Sequence, residues 1–427
     1  MTEGRQCATR RAVLAGLAGT GAALALPVLA GARTGAHVAV IGGGFGGATA
    51  ARYLRRGAPD LRVTLIEPAE RFYTCPFSNL YLGGLRDWDS IGHGYDGLRA
   101  AGVEVIHARA EAVDTAARRL RLAGGAELAW DRLVIAPGID LRWNALEGYD
   151  AAAAEIAPHA WKAGPQTQLL RRQMEAMEDG GTFVMVIPGG AYRCPPGPYE
   201  RAGMVAHYLK TRKPRSKILL LDAKDRFSKQ PLFMQGWQAL YGDMIEWVGL
   251  DDDGQVVRVD AARRAVETAF GTIHRADVLN VIPPQMAGGI AADAGLTDAS
   301  GWVPVDPATF AARQAEGVHV VGDAALASPM PKSGFCANAQ GKVAAAAILA
   351  DLAGQAPPEA SFANTCYSMI APDYAISVAG VYRVEGGAVA EVAGGTSPLE
   401  ADAGFRAAEA RHAAGWYAAI SADIWGA

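Results

Sequence analysis

Two groups of residues in this chain have the types and spacing to do chemistry. The first is a glycine cluster, Gly42-Gly43-Gly44-Phe45-Gly46-Gly47, with Glu67 placed 20 residues beyond Gly47. Gly42, Gly44 and Gly47 spell the dinucleotide pattern. One glycine makes the tight turn, one admits a pyrophosphate to the backbone, and one lets helix pack on strand. The pyrophosphate then rests on amides at the helix N-terminus, and an acid such as Glu67 binds ribose hydroxyls. The second group is the cysteines: Cys75, Cys194, Cys336 and Cys366, with Cys7 near the start. Cysteines of this kind serve as a redox pair, a stabilising disulfide or buried free thiols, and spacing alone does not fix their connectivity.

The glycines need a strand before them and a helix after them. His37–Ile41 is an apolar run bounded by glycine, which reads as a buried parallel strand. Residues 48–56 have helical character, and 62–67 form a second strand ending in Glu67. A third strand, Arg132–Ile135, runs into the turn Ala136-Pro137-Gly138. A polar, helical stretch spans about 159–179, and a second βαβ unit opens at Thr182–Ile187 and continues in the strand Lys217–Asp222. Residues 318–321 make another buried strand ahead of Gly322-Asp323. An Ala-rich helix covers 341–352. The tail from 361 has strand-like pieces and ends in a helix containing aromatics.

Composition bounds the class. The 427 residues fit two or three domains. A net charge of -4 without a long basic run gives no reason to expect nucleic acid. Arg10-Arg11 precede an apolar run over 12–30 that ends in Ala30-Gly31-Ala32, which reads as a twin-arginine export signal with the mature chain starting near Arg33. This places the protein in the periplasm, where a disulfide among the remaining four cysteines can persist. No other segment is apolar enough to cross a membrane. His93, His159 and His207 stand alone, so no metal site is expected. No C-x-x-C-H occurs, so any c-type haem belongs to another polypeptide.

Two further segments choose the dinucleotide. Residues 131–138, ending in Gly138, resemble the strand-turn motif of two-dinucleotide-domain flavoproteins. Residues 317–323 resemble their late FAD motif, whose Asp323 holds the ribityl chain beside Gly322. The expected fold is therefore α/β: two dinucleotide-binding (Rossmann-like) domains of the disulfide oxidoreductase/glutathione reductase type, plus a C-terminal α+β domain. The expected division is a discontinuous FAD-binding domain at 33–150 and 285–360, a second domain at 151–284, and a flavin-covering and interface domain at 361–427. In the second unit the turn reads Pro188-Gly189-Gly190-Ala191-Tyr192-Arg193-Cys194-Pro195-Pro196-Gly197-Pro198. Its four prolines replace the phosphate-cradling amides, since proline has no N–H. A nicotinamide site is not expected there.

Four segments sharpen the resemblance: 71–75 with Cys75, 192–201 with Cys194 and Glu200, 331–334 with Lys332, and 364–368 with Cys366. Together they are similar to the flavoprotein subunit of flavocytochrome c sulfide dehydrogenase. The Sox-system flavoprotein is a near variant and the sulfide:quinone oxidoreductases are more distant relatives. The resemblance covers about 34–427. It implies FAD held covalently through Cys75, a redox-active disulfide between Cys194 and Cys366, and Glu200 as a nearby acid/base. It also implies Lys332 and the helix start after it against the flavin, Trp416 near the ring, and a cytochrome c subunit as partner. Cys336 departs from the pattern, and it is either a buried thiol or a competitor for Cys194. The implied activity is oxidation of sulfide, or a related reduced sulfur species, to sulfur or polysulfide, with electrons passed to the cytochrome. The alternatives are a quinone-reducing enzyme and a flavoprotein that reactivates a sulfur-carrier complex.

Overall fold

The computed structural model describes residues 35–426. The expected export signal and Cys7 lie outside the described residues. The chain first lays down β1 (His37–Ile41), α1 (Phe45–Gly57), β2 (Arg62–Ile66), the short α2 (Ser78–Leu82), β3 (Glu104–Ile106) and β4 (Arg132–Ile135). These strands are parallel in the order β4-β1-β2-β3, with Val38 opposite both Val63 and Arg132. Every residue of β1 is buried, as expected of a central strand covered on both faces.

A second parallel sheet follows: β5 (Thr182–Ile187), α3 (Gly197–Arg212), β6 (Lys217–Asp222), β7 (Ile245–Val248) and β8 (Val278–Val281), in the order β7-β6-β5-β8. Then β9 (Val318–Val320) returns to the first sheet beside β4, pairing Val318 with Leu133. This return brings Gly322 and Asp323 to the same strand ends as Gly42.

Next comes α4 (Gly334–Leu352), which packs on α1. It begins seven residues earlier than the Ala-rich stretch suggested. Ser333 caps it, its hydroxyl accepting from the Cys336 amide at 3.1 Å, which offsets the weak helix formers of the first turn. The tail forms an antiparallel sheet of β10 (Ser361–Ala371), β11 (Tyr374–Glu385) and β12 (Ala388–Thr396), backed by α5 (Ala403–Trp425). Along β10 the side chains of Asn364, Cys366 and Ser368 share one face, because successive residues alternate sides. No helix among the described residues is long and apolar enough to cross a membrane, and no group of three or more His, Cys, Asp or Glu among them could hold a metal ion.

Candidate functional site

The glycine turn after β1 is as tight as its sequence implies. Gly42 sits at φ +97°, where side chains are strained, and donates its amide to the Ile66 carbonyl at 2.9 Å. A Cβ on Gly42 would lie 2.3 Å from the Ala136 carbonyl oxygen, and one on Gly47 would lie 2.0 Å from that of Gly42. Among the described residues no side chain caps the start of α1 at Gly44. Glu67 accepts from the Gly43 amide at 2.8 Å and the Ala69 amide at 2.9 Å. A long cleft runs past Gly42, Gly44 and Glu67 to Gly138, Gly322 and Asp323, and Cys75 also borders it. Burial pushes the Asp323 carboxyl above its ordinary range, although Arg193 lies 3.8 Å away. Uncapped amides, a floor without side chains and an acid at the strand end fit a dinucleotide such as FAD.

A second chamber of about 80 Å³ shares a wall with this cleft through Cys75, Arg193, Ser333 and Gly334. Cys194, Cys366, Glu200 and Trp416 line it. It is far smaller than a typical organic-ligand pocket, yet it has room for a species of a few atoms. Cys194 has a left-handed backbone, φ +58°. Its amide donates to the Lys332 carbonyl and its carbonyl accepts from Gly197, each at 2.8 Å. Cys366 comes from the inward face of β10, its Sγ 3.5 Å from Asn364 Oδ1. The four described cysteines are free thiols. Burial pushes the Cys194 thiol up, and the neighbouring Cys366, Glu200 and Cys75 add to that. Burial also raises Cys366, opposed chiefly by the Lys229 ammonium. Cys336 is buried at the start of α4 and faces a different, smaller cavity beside Lys332 and Gln340, though it stays within electrostatic reach of Cys366.

Glu200 stands in the first turn of α3. Its carboxylate accepts from the Met369 amide at 2.9 Å and from Asn79 Nδ2 at 2.8 Å, and burial holds it above the usual carboxylate range. The Trp416 ring stacks on Phe335 with centroids 6.5 Å apart, and its Nε1 is buried without a hydrogen-bond partner among the described residues. Lys332 lies beside the late FAD motif. Its ammonium donates to the carbonyls of Asp323 and Ala325, at 2.6 and 3.0 Å, and rests over the Trp302 ring. The backbone just after it, Ser333-Gly334, is what borders both cavities.

The structure adds residues that the sequence did not single out. Arg201 is fully buried and donates to Asn79, Asn280 and the carbonyls of His159 and Ala160, at 2.6–3.1 Å. It ties α3 to α2 and to the segment behind the chamber. Burial, with Arg201 next, pushes His159 down to about 3, so it stays neutral, and its Nδ1 accepts from the Trp161 amide. Lys229 reaches the chamber wall from the loop after β6. Arg201 and Lys229 lie apart in sequence, and only their burial as charges marks them.

The turn of the second unit is poor in free amides around Cys194. The amides of Cys194 and Gly197 are spent on carbonyls, and three of the four residues after Cys194 are prolines with none to donate. Asp222, at the end of β6 where a ribose-binding acid would stand, is fully buried. Tyr199 donates to it at 2.6 Å, Trp247 at 3.0 Å and Lys224 at 2.5 Å. Tyr199 and Phe227 stack 3.6 Å apart beside it. Aromatic rings and Lys224 thus take up the hydrogen-bonding capacity of this acid.

Comparison with known proteins agrees with this geometry. Residues 36–192 match the pyridine nucleotide-disulphide oxidoreductase family. Residues 167–283 match the central part of the sulfide dehydrogenase [flavocytochrome c] flavoprotein chain, and 358–425 match the flavocytochrome c sulphide dehydrogenase flavin-binding family. The chain is 62% identical over 43 residues to the flavoprotein chain of that enzyme from Chlorobaculum thiosulfatiphilum, covering 10% of this chain and 90% of that sequence. It is 34% identical over 185 residues to the sulfide-quinone reductase of Aquifex aeolicus, covering 43% of this chain and 41% of the relative. The solved sulfide:quinone oxidoreductase of Aquifex aeolicus superposes with a TM-score of 0.68 at 20% identity, over 92% of this chain and 93% of that one. An NAD-dependent persulfide reductase from A. fulgidus gives 0.61 at 20% identity, over 81% and 63%. At such identities the superpositions establish the fold alone, that of the two-dinucleotide-domain disulfide oxidoreductases. With its central and flavin-binding regions both matched, the chain belongs to the family of flavocytochrome c sulfide dehydrogenase flavoprotein chains.

Proposed function

We propose that this protein is a periplasmic FAD enzyme that oxidises sulfide, or a closely related reduced sulfur species, and passes the electrons to a cytochrome c subunit carrying the haem. The carrying observation is that Cys75, Cys194, Cys366 and Glu200 border one small chamber that shares a wall with the dinucleotide cleft. FAD, when bound, supplies an acceptor that takes electrons in pairs and releases them singly. The chain's own residues do the sulfur chemistry. Cys194 and Cys366, joined as a disulfide, offer hydrosulfide an electrophilic sulfur, and attack leaves a persulfide on one and a thiolate on the other. Glu200 takes up and returns the proton. Cys75 carries the flavin through a thioether, at the wall between the two cavities.

The test is anaerobic titration of the purified flavoprotein with sulfide, following the visible flavin absorbance, with NADH in parallel. Bleaching by sulfide and not by NADH is expected, given the proline turn and the occupied Asp222. An unchanged spectrum with sulfide sinks direct oxidation and favours the carrier-reactivation reading. Denaturation should leave the flavin absorbance on the polypeptide, and Cys75→Ser should release it to the filtrate. The likeness to sulfide-quinone reductases favours one second reading, quinone as acceptor. Reduced enzyme should reoxidise faster with cytochrome c than with a soluble quinone; the reverse order selects quinone.

Glu200 gives a pH signature. Its carboxyl is held above the ordinary range by burial, so the proton-accepting form appears only as pH rises through that elevated midpoint. Sulfide turnover should climb over that interval. Glu200→Gln should cut the rate about 100-fold and flatten the climb, which a pH series of kcat/KM checks.

A further inference from the structure

Lys229 is a lysine in an expensive place. Its residue is 7% exposed and its backbone is left-handed, φ +62°, a conformation that disfavours a residue with a side chain. Its ammonium donates to Ser368 Oγ at 2.8 Å and lies 3.3 Å from the Cys366 carbonyl. Both partners belong to the β10 face that presents Cys366. The Phe233 ring lies 5.7 Å from the ammonium. The charged and titratable groups around it are Cys366 on β10, Glu200 on α3, Cys194 in the proline turn and Glu409 on α5. Burial pulls the ammonium's titration down, and the groups facing it, Cys366 first, oppose that.

We propose that Lys229 is a positioning residue that makes Cys366 the departing thiolate, so that the incoming sulfur nucleophile bonds to Cys194. This rests on the reading that Cys194 and Cys366 form the working disulfide. In the step, the hydrosulfide sulfur bonds to Cys194 Sγ and the S–S bond to Cys366 breaks. The electron pair of that bond leaves on Cys366 Sγ. The hydrosulfide sulfur is oxidised to the persulfide level, Cys366 is reduced to thiolate, and the proton stays on the terminal sulfur until Glu200 takes it up. Exchange is fastest when the leaving sulfur is the better-stabilised thiolate. The electrostatics agree on the asymmetry: Lys229 is the first influence lowering Cys366, whereas for Cys194 it is last and weakest.

The reduced holoprotein tests this without turnover. Each cysteine is alkylated with iodoacetamide over a pH series and read by peptide mass spectrometry. In the wild type, Cys366 should label with a lower pH midpoint than Cys194. Lys229→Gln keeps a donor for Ser368 but removes the charge. It should raise the Cys366 midpoint by about one pH unit or more and slow its labelling near neutrality about tenfold. Cys194 should move less, and Lys229→Arg should restore the wild-type order. A Cys194 midpoint at or below that of Cys366, or a Cys366 midpoint indifferent to Lys229→Gln, overturns the proposal. If Lys229→Gln loses its flavin or its thermal transition, the wild-type order decides. Peptide mapping of the oxidised protein addresses the underlying reading separately. Absence of a Cys194–Cys366 cross-link removes the disulfide and the direction of attack, while the labelling order still decides whether Lys229 holds Cys366 as thiolate.

Discussion

Cys194→Ser should abolish bleaching of the flavin by sulfide, with a loss on the order of 10³-fold or more in the stopped-flow rate. Serine retains the size of the side chain but cannot form a sulfur–sulfur bond, so no electrophile remains in the chamber. Cys366→Ser should lose as much, and the double variant should lose no more than either single one, because residues acting as a unit are not additive. Cys336→Ser is the control. Its thiol faces the cavity beside Lys332 and Gln340 and does not line the chamber with Cys194, so its rate should stay within a few-fold of wild type. If Cys336→Ser abolished bleaching and Cys366→Ser did not, the pairing would be reassigned. The fold should tolerate all three, since serine keeps a donor where each thiol stood, including the one Cys366 directs at Asn364.

Gly47→Ala should cost the protein its flavin and much of its stability. A Cβ there would meet the Gly42 carbonyl oxygen at 2.0 Å, a backbone atom in the turn that receives the pyrophosphate. Gly42 cannot retreat, because its amide is bonded to Ile66 and its own Cβ position is closed by the Ala136 carbonyl. The strain therefore separates α1 from β1, where the residues are wholly buried. Overpacking of this kind costs about 3 kcal/mol, and it moves the amides that a dinucleotide needs. Thermal melting with measurement of bound flavin checks both effects. A variant that keeps its flavin with an unchanged melting temperature would show that the turn relaxes in a way these contacts do not allow.

Much of this protein was legible in the chain before any fold was drawn. Periodicity and glycine spacing give the two parallel sheets, because a buried strand flanked by turn glycines has few other homes. They also place Gly42, Gly44, Gly47 and Glu67 together, since all four lie within one βαβ unit. The prolines after Cys194, which leave that turn short of amide donors, are legible for the same local reason. The position of α4 was only partly legible: its Ala-rich half advertises a helix, but its first turn depends on the Ser333 cap.

Tertiary structure alone decided the environment of the reacting groups. The resemblance implies Lys332 against the flavin, and the fold gives its ammonium the carbonyls of Asp323 and Ala325 and the Trp302 ring as neighbours. Asp222 reads as an ordinary strand-end acid until Tyr199, Trp247 and Lys224 close on it. Arg201 and Lys229 are two more basic residues among 40 until the fold buries them. The sequence by itself determined which local units form and which residues could react, because turns, strands and caps are set by near neighbours. Which thiol meets which, and which charge stands behind it, was decided only when β10, α3 and the loop after β6 packed together, because burial and electrostatic pairing act through space between segments that the chain keeps far apart.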